Sequence, residues 1–101
     1  MAREFDGVID AVRHDAEGRV VWARAYLRRW PHVYGGPQIL SRQALLERLR
    51  QGQTFAVGQR RAFWGNTFEI LTPIHLKQRQ GADVLEAQAG ETAELATAPR
   101  L

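Results

Sequence analysis

The chain has 101 residues, 45% of them hydrophobic and 25% charged, with a formal net charge of +3 and no cysteine. That composition fits one globular domain and excludes collagen-like, low-complexity and fully disordered chains. It also excludes a disulfide framework, a thiolate metal site and a cysteine nucleophile, and no apolar run reaches the roughly 20 residues of a membrane helix.

The N-terminal stretch Met1-Ala2-Arg3-Glu4-Phe5-Asp6 has no apolar segment of the secretory type, which predicts a cytoplasmic protein. Residues 3–13 alternate, with Phe5, Gly7, Ile9 and Ala11 on one side and Glu4, Asp6, Val8, Asp10 and Val12 on the other. Period two over that length predicts a strand. Residues 19–30 alternate likewise: Val21, Ala23, Ala25 and Leu27 oppose Val20, Trp22, Arg24, Tyr26, Arg28 and Trp30. The turn-forming stretch His14-Asp15-Ala16-Glu17-Gly18 joins the two runs into a long hairpin over residues 3–30. Pairing Ala11 with Val21, Ile9 with Ala23, Gly7 with Ala25 and Phe5 with Leu27 brings apolar residues together throughout. A slip of one residue would place aspartates against them.

Residues 30–37, with Pro31, Gly35, Gly36 and Pro37, are expected to form a loop, followed by a short extended piece at 38–40. Ser41 then reads as the N-cap of a helix from Arg42 to about Gln51. Leu40 and Leu45 are spaced as a hydrophobic staple, and Gly52 is the stop. Residues 53–63 and 67–77 predict a second hairpin around Trp64-Gly65-Asn66, with Pro73 marking a local sheet edge. Beyond Gln78 the chain has no aromatic residue.

The expected architecture is α+β and mostly β: two antiparallel hairpins with one short helix between them. They would form a small SH3-like or Sm-like barrel or a strongly bent sheet. The expected division is one β-rich domain at 1–79 and a flexible, disordered acidic tail at 80–101. In that tail Arg100 alone opposes Asp83, Glu86, Glu91 and Glu94. The core candidates are Phe5, Ile9, Val21, Leu27, Leu45, Leu46, Leu49, Phe55, Val57, Phe68, Ile70, Ile74 and Leu76. So small a body gains from burying further surface in a homodimer.

The stripe Trp22, Arg24, Tyr26, Arg28 and Trp30 is the main functional candidate. Alternate residues of one strand share a sheet face, and aromatic platforms interleaved with arginine bind single-stranded nucleic acid by stacking bases and pairing phosphates. Arg60, Arg61 and Trp64 extend the same chemistry at the second hairpin. The competing reading is a salt-bridged outer face or a protein interface, because Asp6 and Asp10 lie beside these arginines across the first hairpin. Arg42, Arg48 and Arg50 form a second basic set on the helix.

Nothing points to catalysis. Ser41 is engaged as a cap, and Thr54, Thr67 and Thr72 have no adjacent base. His14, His32 and His75 lack metal-ligand spacing, and no glycine-rich phosphate loop is present, so neither a cofactor nor a metal is expected. The sequence therefore predicts a non-catalytic binding module. Its partner is a single-stranded nucleic acid or, alternatively, a protein or a second copy of itself.

Overall fold

The computed structural model describes residues 5–30, 33–60, 68–79, 81–87, 94–95 and 98–100. Their elements, in chain order, are β1 (Gly7–His14), β2 (Val20–Trp30), β3 (Val33–Ser41), α1 (Arg42–Arg50), β4 (Phe55–Arg60), β5 (Phe68–Arg79) and β6 (Ala82–Glu86). The strands form one mixed sheet in the order β3-β2-β1-β4-β5-β6. All neighbours are antiparallel except β1 and β4, which run parallel.

The class is therefore α+β and mostly β, but the sheet is not closed into a barrel. Its ends are β3 and β6. The face that a barrel would turn inward is covered instead by Leu45 and Leu46 of α1 and by Leu95 and Ala98 near the C-terminus.

Local chemistry fixes α1 at both ends. Ser41 is extended (φ −70°, ψ 161°), and its Oγ accepts from Ala44 N–H at 3.1 Å. Leu40 and Leu45 are both buried, as a staple requires. At the other end Gly52 has φ +88°. The Gly52 N–H donates to Leu49 O and the Gln53 N–H to Arg48 O, each at 3.1 Å. That pair of bonds is a Schellman closure, for which glycine carries little strain at positive φ.

The register of β1 on β2 differs from the sequence expectation. Gly7 opposes Leu27 and Ile9 opposes Ala25, but Ala11 opposes Arg24 and Val12 opposes Ala23. Asp10 is thus an extra residue on β1, and Val21 is one on β2. A bulge turns two successive residues toward the same face. Ile9 and Val12 both enter the helix-side core, as do Val20 and Ala23. Val20, not Val21, is the buried valine.

Two further expectations are corrected. The proline- and glycine-rich stretch after residue 32 is not a loop but β3, paired to β2 from Val33 to Ser41. Pro37 is tolerated there because β3 is an edge, so its missing N–H breaks no second ladder. Pro73 follows the same logic, since β6 pairs only with His75–Arg79 and leaves Pro73 unflanked by it.

The tail expected over 80–101 is not free in its described parts. Ala82–Glu86 form β6 on β5, and Val12 bridges Arg100. Leu85 and Leu95 sit fully inside the main core. Among the described residues, no helix is long and apolar enough to cross a membrane.

Candidate nucleic-acid interface on the outer sheet face

Trp22, Arg24, Tyr26 and Arg28 of the stripe share one face of β2, turned away from α1, but they differ sharply in environment. Tyr26 is only 6% exposed. Its ring packs with Val8 and with the partly buried Tyr34 in a small second core, and its hydroxyl donates to Asp10 Oδ2 at 3.2 Å. It is therefore not a stacking platform.

Arg24 makes a two-pronged contact with Asp10. Its Nε donates to Oδ1 at 2.7 Å and its Nη2 to Oδ2 at 3.1 Å. The bulge places Asp10 there, on the same side as Ala11 and Arg24. Arg28 Nη2 reaches Asp6 Oδ1 at 3.4 Å. Asp6 is further engaged by the Thr54 N–H at 2.8 Å and the Thr54 hydroxyl at 3.3 Å. The Thr54 backbone N–H, more than Arg28, holds the Asp6 carboxyl below its usual range against the opposing effect of burial.

Trp22 is different, being 45% exposed. Two rows of the sheet define its surroundings. One row runs Arg13, Trp22, Ser41 across β1, β2 and β3, and the next runs Ala11, Arg24, Ile39. Arg13 is exposed and has no carboxylate partner among the described residues. Ile39, 53% exposed on the edge strand, completes the patch.

No protein-family model matches the sequence. No curated protein is significantly similar to it, and no solved structure is either.

The other stripe and hairpin candidates divide as follows. Trp30 ends β2 opposite Val33, and Arg60 ends β4 opposite Phe68, but their side chains lie outside the described residues. Arg61 and Trp64 lie wholly outside them.

The second basic set is largely neutralised by the acidic segment. Arg42 Nη2 donates to Glu94 Oε2 at 2.8 Å, and a second contact joins Arg42 Nη1 to Oε1. Arg50 is paired with Asp83. Arg48 alone of the three has no carboxylate partner among the described residues and donates to Gln53 Oε1 at 3.3 Å.

Arg13 and Ile39 were missed as candidates. The signal for Ile39 was its position between Pro37 and Ser41 next to Leu40: if Leu40 goes inward, Ile39 must face out. The signal for Arg13 required the bulge, which the alternation conceals.

Proposed function

We propose that the chain is a non-catalytic binding module that takes single-stranded nucleic acid on the outer sheet face. Trp22 stacks on a base, and Arg13 meets a flanking phosphate. The observation that carries this reading is the exposed Trp22 ring set opposite Arg13, a cation without a carboxylate partner among the described residues. An indole offers a sequence-tolerant stacking surface, and an adjacent guanidinium group supplies the phosphate contact.

The test is a fluorescence titration with single-stranded DNA and RNA at about 50 and 200 mM salt. One phosphate contact on a single strand predicts an affinity about 2.6-fold lower at the higher salt. Trp22→Phe should remove most of the fluorescence response and Arg13→Gln should weaken binding. No quenching by either strand at the lower salt would reject this function.

A second reading rests on Ile39 and on the two aspartates that already occupy Arg24 and Arg28. An exposed isoleucine on an unpaired sheet edge suits contact with a protein or with a second copy of the chain. It predicts a concentration-dependent dimer in sedimentation that Ile39→Ser dissolves, with no dependence on nucleic acid.

A further inference from the structure

Away from the Trp22 patch, near the C-terminal end of α1, lies an open recess of about 370 Å³. Its lining is Asp6, Leu27, Arg28, Arg29, Arg48, Gln38 and Gln53. Three arginines thus line one recess whose lining includes a single carboxylate, that of Asp6. That carboxylate is already engaged by Thr54 and Arg28.

Arg29 and Arg48 have no carboxylate partner among the described residues. Arg29 lies across Gly35 of the neighbouring strand, where a Cβ would come 2.9 Å from its Nε. Arg48 is steadied by its bond to Gln53 Oε1. Arginines around one recess with amide side chains among them suit the charge of a tetrahedral oxyanion.

We propose that this recess binds a phosphate group, with Arg29 and Arg48 as its principal contacts and Gln38 and Gln53 as neutral hydrogen-bonding neighbours. This site stands independently of the reading of the Trp22 face.

The probe is inorganic phosphate, titrated into ¹⁵N-labelled protein at constant ionic strength with chloride as the reference anion. The readout is the arginine Nε–H resonances. Those of Arg29 and Arg48 should shift together along one saturation curve. Arg29→Gln or Arg48→Gln should weaken binding about tenfold or more, the scale of one hydrogen bond to a charged group.

Gly35→Ala, which leaves every charge in place, should weaken it by displacing Arg29. Lys77→Gln, which removes one exposed positive charge from β5 outside both sites, should leave the curve unchanged. If Arg48→Gln unfolds the helix end, Arg29→Gln and Gly35→Ala carry the test. Shifts no larger than those with chloride, or a curve that survives Arg29→Gln, would overturn the proposal.

A second arm adds a short oligothymidylate. Displacement of phosphate from the Arg29 and Arg48 resonances would assign the phosphate to a nucleic-acid backbone. Phosphate saturation without displacement would assign it to a small phosphorylated ligand. Both results support the site, while the Trp22 fluorescence reports the outer face separately.

Discussion

Glu94 accepts four hydrogen bonds at its carboxylate. It is 7% exposed and accepts from the Leu85 N–H and the Val20 N–H, each at 2.8 Å, besides the two contacts from Arg42. Its own backbone N–H donates to Gly18 O at 3.0 Å. Arg42 in turn donates to Val20 O and Asp83 O, each at 3.0 Å. Burial pushes the Glu94 carboxyl upward, but Arg42 and the two backbone N–H groups outweigh it and hold the carboxyl below its ordinary value of 4.5. A depressed folded pKa means stability that is fully present above 4.5 and is lost as pH falls through the folded value. Urea unfolding should therefore show a loss in acid that is smaller in Glu94→Gln than in the wild type. The carboxylates of Asp6 and Asp83, also held low, lose their share in both proteins and cancel in the comparison. At neutral pH Glu94→Gln should cost about 3 kcal/mol, the low end for breaking a buried pair, because the Arg42 side chain keeps 23% exposure.

At the scale of elements, α1 shows what a sequence states locally. Its cap, its staple and its glycine stop are all contiguous signals, and each is realised. Gly52→Ala, which puts a Cβ at φ +88°, should lower stability by about 1 kcal/mol in thermal or urea unfolding. The strands were less legible wherever the deciding partner is distant. Residues 33–37 carry a loop-forming proline and two glycines and still make β3, because an edge strand uses only one side of its backbone. The β1–β2 register was displaced by two residues because the turn closes more tightly than expected, with the Asp15 N–H donating to Arg19 O, and the bulges at Asp10 and Val21 then break the alternation between them. Ala82–Glu86 offers no aromatic or β-rich run beyond Val84, and its strand is decided by pairing with β5 and by Leu85 entering the core. The candidate face was half legible for the same reason. Alternation put Trp22, Arg24, Tyr26 and Arg28 on one side, but Tyr26 is covered by Val8 and Tyr34 and the arginines are met by Asp10 and Asp6.

For the whole molecule, the C-terminal segments belong to the body of the fold. Leu85 is 1% exposed within the same core cluster as Ile9, Leu45 and Phe55. Leu85→Ala should cost about 2–5 kcal/mol in urea unfolding, the range for emptying such a site. Deleting residues 81–101 should leave a protein that unfolds at much lower urea, since Arg42 would lose Glu94 and the core would lose Leu85 and Leu95. The knot around Glu94 also orders events in time. On a ribosome the arginine of α1 emerges about fifty residues before the carboxylate that neutralises it. Until then the nascent chain holds a cation without its buried partner and a sheet without β6. Completion of much of the core therefore waits for residues 82–98, and a growing chain halted near residue 80 presents a species that general chaperones and proteases can recognise as unfinished.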